Sequence, residues 1–312
     1  MPLEQKLIVI VGPTASGKTD LALKMAKEFN GEIISADSRQ IYKKMDIGTA
    51  KPDGNWKMVA GKRRYLVEGV PHYAVDTMNP GKTFTAAEFK ELAVESVEDI
   101  SRRGKVPFLV GGTGLYIWSV VDNLQFPSGE PIKKLRAGFD GKSIEELVDL
   151  LKKVDSEAVL FVDKKNKRRV IRALEVAIST GQSFSALRAK SEPLFDCLQI
   201  GIKWPFSELF ERIDARIDEQ WKKGWQSEVE SLIRQKYSFD LPSLSGIGYR
   251  EVVKYLDGEM TMPEMIRILK RETHRYAKRQ MTWFKRDKQI NWIEKNDVAA
   301  ARVMIADFLK KR

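Results

Sequence analysis

The sequence has little cysteine and little histidine. Cys197 is the single cysteine among 312 residues, and His72 and His274 are the two histidines. One thiol cannot form an intramolecular disulfide, and these three residues cannot supply a thiolate cluster or a histidine-rich metal centre. A reducing cytoplasm is therefore the expected compartment.

Long hydrophobic runs are missing as well. The first apolar run, Leu7–Val11, has five residues, far short of the about 18 that a membrane-spanning helix needs. Glu4 precedes this run, so the N-terminus does not resemble a secretory signal. With 43% hydrophobic and 31% charged residues, we expect a folded protein without membrane association, built from one large or two ordinary domains.

Acidic residues do not balance the basic ones, and the excess positive charge is concentrated. The formal net charge is +11, while Asp163–Arg172 carries +5, Arg267–Lys288 carries +7 and the remaining 280 residues sum to −1. Two basic islands on a neutral body predict a polyanionic partner. Solvated helix faces are the alternative. We favour nucleic acid because Tyr276, Trp283 and Phe284 are interleaved with the second island and are candidates for stacking on unpaired bases.

The first third of the chain alternates strand and helix patterns, whereas the rest is mostly helical. This alternation predicts a phosphate-loop (P-loop) NTPase-like α/β fold, with a parallel sheet flanked by helices. The predicted strands of this part are Leu7–Val11, Glu32–Ser35 and Val106–Val110, and the predicted helices are Lys18–Phe29 and Thr85–Arg103.

A change of pattern after about Trp118 predicts a second domain. Phe126–Gly141 contains two prolines and three glycines and is typical of a linker or loop. We therefore expect a helical insertion at 122–195 in a catalytic core made of 1–121 and 196–312. Further strands are predicted at Leu198–Trp204 and Gln289–Ile293, and further helices at Ile144–Lys153, Arg168–Thr180, Ser207–Lys223, Gln226–Lys236, Tyr249–Leu256, Pro263–Asp287 and Val298–Leu309.

Residues Gly12–Thr19, GPTASGKT, match the phosphate-loop pattern G-x-x-x-x-G-K-[ST] and lie between a predicted strand and a predicted helix. Backbone N–H groups of such a loop bind phosphate oxygens, Lys18 adds a full positive charge, and the Thr19 hydroxyl is a ligand for Mg²⁺. The residues predicted to bind a diphosphate or nucleotide are Gly12, Pro13, Thr14, Ala15, Ser16, Gly17, Lys18 and Thr19.

NTP hydrolases with a phosphate loop usually hold Mg²⁺ with an Asp that follows a later apolar strand, and this sequence has no such Asp. Val106–Val110 ends in Gly-Gly-Thr-Gly, whereas Asp37 follows the second predicted strand. That position is at the carboxyl edge of the sheet, beside bound phosphates, where a base can activate an acceptor. An N-cap for the turn Ser38–Lys43 fits Asp37 equally well.

Together with the phosphate loop, five further segments resemble the tRNA dimethylallyltransferases of bacteria, in the order that the family has them. The segments are ADSRQIYKKMDIGTAKP at Ala36–Pro52, VGGTGLYI at Val110–Ile117, RALEV at Arg172–Val176, GIGYRE at Gly246–Glu251 and AKRQMTWFKR at Ala277–Arg286. Two departures affect the insertion: Lys164-Lys165-Asn166 stands where the family has a Pro-Asn-Asp-type turn, and Phe126–Asp140 is short.

The resemblance implies a reaction. Such enzymes transfer the dimethylallyl group from dimethylallyl diphosphate to the exocyclic amine of the adenosine 3′ to the anticodon in tRNA. The phosphate loop then holds a diphosphate leaving group with Mg²⁺, Asp37 is the general base, and the adenine leaves the stack of the anticodon stem-loop. We expect a cytoplasmic monomer, and leave open whether ATP also binds the loop.

The resemblance also assigns residue roles. Arg216 in the segment ERIDARID is matched to the arginine that reaches the diphosphate; an i,i+4 ion pair on an exposed helix face is its alternative. Asp37, Ser38, Arg39 and Gln40 are matched to the segment that reads the adenosine. The remaining tRNA-binding candidates are Thr113, Arg136, Arg168, Arg169, Val170, Ile171 and Arg172.

Two other functions compete with this one. A small-molecule or nucleotide kinase also uses a phosphate loop with an acceptor-binding Asp, but it gives no reason for the basic islands. A non-catalytic RNA-binding protein accounts for the islands and leaves the intact phosphate loop unexplained.

Overall fold

A computed structural model describes residues 5–59, 61–126, 133–180, 191–295 and 297–311. The chain divides into two compact units, a larger one of Met1–Val120 with Leu194–Arg312 and a smaller one of Val121–Pro193. The predicted insertion covers 122–195. No helix within the described residues is long and apolar enough to cross a membrane.

The larger unit contains one eight-stranded sheet with the strand order β3-β4-β5-β2-β6-β1-β7-β8. From β5 to β8 all pairs are parallel, whereas β4 is antiparallel to β5 and β3 to β4. The strands are β1 Lys6–Val11, β2 Gly31–Ala36, β3 Asn55–Val59, β4 Lys62–Val67, β5 Val70–Tyr73, β6 Val106–Gly111, β7 Asp196–Lys203 and β8 Asn291–Glu294.

Helices cover this sheet and form the smaller unit. In chain order they are α1 Lys18–Glu28, α2 Ala86–Arg102, α3 Gly114–Val121, α4 Lys133–Asp140, α5 Ile144–Val154, α6 Ala158–Phe161, α7 Lys167–Thr180, α8 Phe206–Lys222, α9 Trp225–Arg234, α10 Tyr249–Leu256, α11 Met262–Phe284 and α12 Val298–Lys310. Thr85 and Ser143 begin α2 and α5 with reciprocal capping boxes, which satisfy backbone donors at the helix start.

The predicted P-loop-like α/β fold is confirmed, with several additional elements and one correction. The sequence pattern did not predict strands β3, β4 and β5 or helices α3 and α6. These elements are short, and in β3 and β4 the exposed Lys57, Lys62 and Arg63 interrupt the few apolar residues, so no long periodic run indicates them. The linker expectation for Phe126–Gly141 is wrong at Lys133–Asp140, which is helix α4. Residues 127–132 of that segment lie outside the described residues.

Each unit has its own apolar core. In the larger unit, fully buried side chains of the central strands, such as Ile8 and Phe108, pack with Leu21 and Met25 of α1 and Ile305 of α12. In the smaller unit the buried residues include Leu147, Leu151, Val170, Ala173 and Leu174. Because the parallel strands are buried on both faces, their carboxyl-end loops are held at one edge of a rigid layer.

Candidate active site

The phosphate loop lies between β1 and α1, as the motif predicts. Ala15 has a φ of 62° and Gly17 a φ of 83°, and these left-handed residues curl the chain into the first turn of α1. A Cβ atom at Gly12 would lie 2.7 Å from Ser16 Oγ, so the loop closes tightly on itself. The sequence therefore forms a compact backbone loop at a helix N-terminus, which favours anions.

Helix α8 brings two arginines to this loop. Arg216 Nη2 donates to Thr14 Oγ1 at 2.5 Å, and Arg212 Nε donates to the Ala15 carbonyl at 2.9 Å. The exposed ion-pair alternative for Arg216 is not what the structure contains, because the side chain is half-buried against the loop. Together these elements enclose a cavity of about 410 Å³ lined by Ala15, Gly17, Lys18, Thr19, Asp20, Arg212, Ala215, Arg216 and Glu219.

Two buried donors in this region lack a partner. Among the described residues, neither Ser16 Oγ nor Arg216 Nε has a hydrogen-bond acceptor or donor within reach. Buried polar groups are almost always paired in native proteins, so both atoms have an unused hydrogen bond for a bound ligand or water. Beside a phosphate loop, the oxygen atoms of a phosphate-bearing anion have the acceptors that both groups lack.

The charges of the site are matched to an anion. Burial lowers the pKa of Lys18 to about 8; the Asp37 carboxylate opposes this shift, and Arg216 adds to it. Burial likewise lowers the pKa of Arg216, again opposed by Asp37. Two desolvated cations destabilise each other until an anion arrives between them.

Asp37 follows β2 at the same edge of the sheet. Its Oδ1 accepts hydrogen bonds from the backbone N–H groups of Arg39 at 2.9 Å and Gln40 at 3.4 Å. This is the capping role that was one of the two alternatives. No described residue donates to Oδ2, so one carboxylate oxygen orders the turn and the other is available as a proton acceptor.

Thr113 meets this turn from the neighbouring strand end. The backbone N–H of Ser38 donates to Thr113 Oγ1 at 3.2 Å, and the backbone N–H of Thr113 donates to the Ala36 carbonyl at 3.2 Å. Tyr276 of α11 also contacts Thr113, and burial raises the pKa of this tyrosine to about 12. The structure thus brings Ser38 and Thr113 together beside Asp37.

Arg39 and Gln40 are held by the protein itself. The Arg39 guanidinium donates to the Pro242 carbonyl, to the Ser243 carbonyl at 3.1 Å and to Ser245 Oγ at 3.2 Å. The Gln40 amide accepts from Ser35 and donates to the carbonyls of Thr49 and Ala50. In this structure, both side chains order the loops around Asp37.

The candidates in the smaller unit differ in exposure. Arg168 and Arg169 are exposed at the start of α7. Arg172 and Arg136 form ion pairs with the buried Glu175. Val170 and Ile171 differ in burial. Val170 is fully buried, whereas Ile171 is partly buried against the same core. The Val170 side chain therefore contributes packing rather than an RNA contact.

The aromatic residues of the second basic island, Arg267–Lys288, also differ in burial. Phe284 is fully buried, so the expectation that it stacks on bases is wrong. Trp283 stacks on Trp118, with ring centroids 4.7 Å apart, and Tyr276 is half-buried. Lys278 lies over the Phe210 ring at 5.3 Å. A linear pattern could not tell these residues apart, because packing selects which face of α11 is covered.

Sequence patterns did not single out Gln280, which belongs to the site. Gln280 bonds both to the phosphate loop and to the Gly112 turn. It lies within the segment AKRQMTWFKR, and that segment is the signal that could have found it. The charged and aromatic neighbours of Gln280 dominate the pattern there, and a single neutral amide does not stand out among them.

A metal at this site would have few protein ligands. No group of three His, Cys, Asp or Glu side chains converges in the parts of the chain that the structure describes. The half-buried Thr19 hydroxyl lines the phosphate cavity and is a hard oxygen donor. This donor set fits Mg²⁺, which keeps several waters and binds largely through substrate phosphates.

Known proteins are similar to this chain over nearly its whole length. A family model described as IPP transferase matches residues 40–287. The tRNA dimethylallyltransferase 2 of Geotalea uraniireducens (strain Rf4) is 43% identical over 295 residues, which are 93% of this chain and 92% of that protein.

Two solved structures share the fold. The tRNA delta(2)-isopentenylpyrophosphate transferase of Staphylococcus epidermidis is 36% identical, with 98% of each chain covered and a TM-score of 0.67. A eukaryotic dimethylallyltransferase acting on tRNA is 26% identical, with 99% of this chain and 80% of that chain covered and a TM-score of 0.80. The chain therefore belongs to the IPP transferase family of tRNA dimethylallyltransferases.

Proposed function

We propose that this protein transfers the dimethylallyl group from dimethylallyl diphosphate to the exocyclic amine of the adenosine 3′ to the anticodon, releasing diphosphate. The observation that carries the proposal is the adjacency of two features. A desolvated anion site with Lys18, Arg216 and the orphaned Ser16 hydroxyl lies next to the Asp37 carboxylate, which influences the pKa of both cations. A leaving-group site beside a base is what this transfer requires.

The anion site accounts for departure of the leaving group. As the allylic C–O bond breaks, negative charge grows on the diphosphate and positive charge on the allylic carbon. Lys18, Arg216 and the backbone amides of the loop are fixed before the reaction begins, so they stabilise the diphosphate charge without reorganising. Such preorganised donors are typically worth several kcal/mol in rate.

Asp37 accounts for activation of the acceptor. The adenine amine attacks the allylic carbon, a C–N bond forms and the nitrogen must lose a proton. We assign that proton to Asp37 Oδ2, while Oδ1 keeps the turn in place through Arg39 and Gln40. The adenosine is then assigned to the loop of Asp37, Ser38, Arg39 and Gln40 together with Thr113. Within this loop the Arg39 and Gln40 side chains keep the backbone in place.

We assign one Mg²⁺ to the phosphate loop, with Thr19 as its protein ligand. When bound, the ion would supply charge neutralisation on the diphosphate. Oxygen atoms of the diphosphate and water would supply the other ligands.

The tRNA is proposed to bind through its anticodon stem-loop. The two basic islands support this, together with the exposure of Arg168 and Arg169 in the smaller unit. We assign that unit, and in particular the start of α7, to the phosphates of the anticodon stem. We propose that the protein acts as a monomer in the cytoplasm, a reducing compartment that suits its single cysteine.

A prenyl transfer assay tests the proposal. Radiolabelled dimethylallyl diphosphate and unmodified tRNA should give labelled tRNA in a reaction that requires Mg²⁺. Nucleotide release during turnover with ATP distinguishes the rival function. Stoichiometric ADP with no labelled tRNA would support a kinase and contradict the prenyltransferase.

A further inference from the structure

Gln280 of α11 links two loops that are far apart in the sequence. The side chain is only 6% exposed. Its Oε1 accepts a hydrogen bond from the backbone N–H of Thr14 at 2.9 Å, and its Nε2 donates to the carbonyl of Gly112 at 2.9 Å. One buried amide therefore joins the phosphate loop after β1 to the turn after β6.

The surroundings of this amide are fitted closely to it. A Cβ atom at Gly112 would lie 2.3 Å from Gln280 Nε2 and 3.4 Å from the Gly12 carbonyl. Glycine at 112 is what lets the amide approach. The position also requires an acceptor at one end and a donor at the other, which a neutral amide supplies without adding a buried charge.

Each end of the link leads to a different half of the site. On the phosphate side, Thr14 Oγ1 accepts from Arg216 at 2.5 Å. On the acceptor side, Gly112 precedes Thr113, whose Oγ1 accepts from the Ser38 N–H next to Asp37 at 3.2 Å. Gln280 is thus the shared neighbour of the loop that holds the leaving group and the turn that holds the base.

We propose that Gln280 is a positioning residue that sets the separation between the diphosphate loop and the Asp37 turn. It touches neither reacting group, so it acts through Thr14 and Thr113. The expected effect of Gln280 on the reaction rate rests on the proposed prenyl transfer. Because a misplacement of about 1 Å can cost 10²-fold in rate, loosening this link should slow the chemical step more than it weakens either substrate.

The first test compares Gln280→Met with a matched control, Gln199→Met. Gln199 is also buried, and its Nε2 donates to Asp287 and Gln289, outside the two loops. We expect Gln280→Met to lower kcat about 10²-fold while KM for both substrates changes by less than about threefold. The control should keep its kcat. A wild-type kcat in Gln280→Met would overturn the proposal.

A second variant, Gln280→Glu, adds a pH readout. The ionised carboxylate can still accept from the Thr14 N–H but repels the Gly112 carbonyl, whereas the protonated carboxyl restores the missing donor. The rate of this variant relative to wild type should therefore rise as the pH falls from 8 to 5.5. A ratio that stays low and flat from pH 8 to 5.5 would contradict positioning.

Backbone hydrogen exchange tests, without any catalytic turnover, whether Gln280 joins the two loops. In Gln280→Met, amides of both segments 12–17 and 111–114 should exchange at least tenfold faster than in wild type and in Gln199→Met. Faster exchange confined to α11, or none, would overturn the link. If wild type transfers no prenyl group, the proposed function fails on its own, while this exchange measurement still decides whether Gln280 joins the loops.

Discussion

At the residue scale, Asp37 has two oxygens with separable roles. Replacing Asp37 with Asn keeps the Oδ1 acceptor for the Arg39 and Gln40 amides but removes the base. We expect Asp37→Asn to lower the single-turnover rate of prenyl transfer 10²–10⁴-fold. Affinity for dimethylallyl diphosphate should stay equal or rise, because a negative charge near Lys18 is removed.

Asp20 provides the control for this prediction. It is exposed in the first turn of α1 and its charge also acts on Lys18. Asp20→Asn should retain the wild-type rate. An Asp37→Asn variant at full rate, measured with saturating tRNA, would remove the base assignment.

The lowered pKa of Lys18 predicts that the affinity for dimethylallyl diphosphate depends on pH. The pKa of Lys18 is lowered to about 8, so in the free protein the amine loses its charge as the pH rises above that value. A bound diphosphate favours the charged form, and binding above pH 8 must then take up a proton. Affinity should fall by up to about tenfold per pH unit between pH 8 and 9.5.

Calorimetry with dimethylallyl diphosphate in the absence of tRNA measures this. Lys18→Met should bind more weakly at pH 7 and should lose the decline above pH 8. Lys24→Met, an exposed position on the same helix, should behave as wild type. An identical pH profile in wild type and Lys18→Met would show that the ligand's own ionisation is responsible.

At the scale of elements, Glu32 ties β2 to its neighbours. The carboxylate is 1% exposed and accepts from Arg103 at 2.6 Å, Lys105 at 2.8 Å and Tyr73 at 2.6 Å. Burial by itself would raise the pKa of Glu32, but the hydrogen bonds from Arg103, Lys105 and Tyr73 outweigh it and hold the pKa at about 2. These contacts fasten the ends of α2, β5 and β6 to the strand that precedes Asp37.

Because the folded pKa of Glu32 lies below its unfolded value, the stabilisation is complete above about pH 4.5 and is lost as the pH falls toward 2. Glu32→Gln should lower the free energy of unfolding by roughly 1–3 kcal/mol at pH 7. It should also flatten the decline of stability between pH 5 and 3. Urea unfolding measures both, with the exposed Glu91→Gln of α2 as control. An equal effect in the two variants would contradict the prediction.

At the scale of the whole molecule, the charge distribution predicts salt-dependent tRNA binding. Replacing Arg168 and Arg169 with Ala should weaken tRNA binding and reduce the slope of log K against log salt by roughly 0.7–0.9 for each phosphate that the variant no longer neutralises. Binding of dimethylallyl diphosphate should not change. The pair Lys152→Ala with Lys153→Ala removes the same charge from exposed positions of the same unit and should leave the slope unchanged.

The second island needs a separate pair, Lys278→Ala with Arg279→Ala. Lys278 lies over the Phe210 ring and Arg279 near the Tyr276 ring, so these side chains also pack. If they contact phosphates, the slope falls as for the first pair. If both pairs leave affinity and slope unaltered, the islands are solvated faces and the proposed tRNA contacts are wrong.

The sequence by itself determined the features that depend on neighbouring residues. The phosphate loop could be recognised because its curl is a local property of Gly12–Thr19, and the α/β alternation because burial on both faces leaves nearly continuous apolar strands. Resemblance over six segments supplied the family. Strands β3, β4 and β5 were not predicted, because each is short and its few apolar residues, such as Tyr65 and Val67, are buried only where they pack on the core of the larger unit.

Tertiary structure alone decided which distant residues meet. Arg216 and Gln280 reach Thr14 from 202 and 266 residues away, and no local period encodes such a contact. Packing also separated neighbours of like composition: Phe284 is buried in the core, and Trp283 stacks on Trp118. The physical reason is that local patterns fix backbone form and the apolar face, whereas the partner of each side chain is fixed only when helices pack on the sheet.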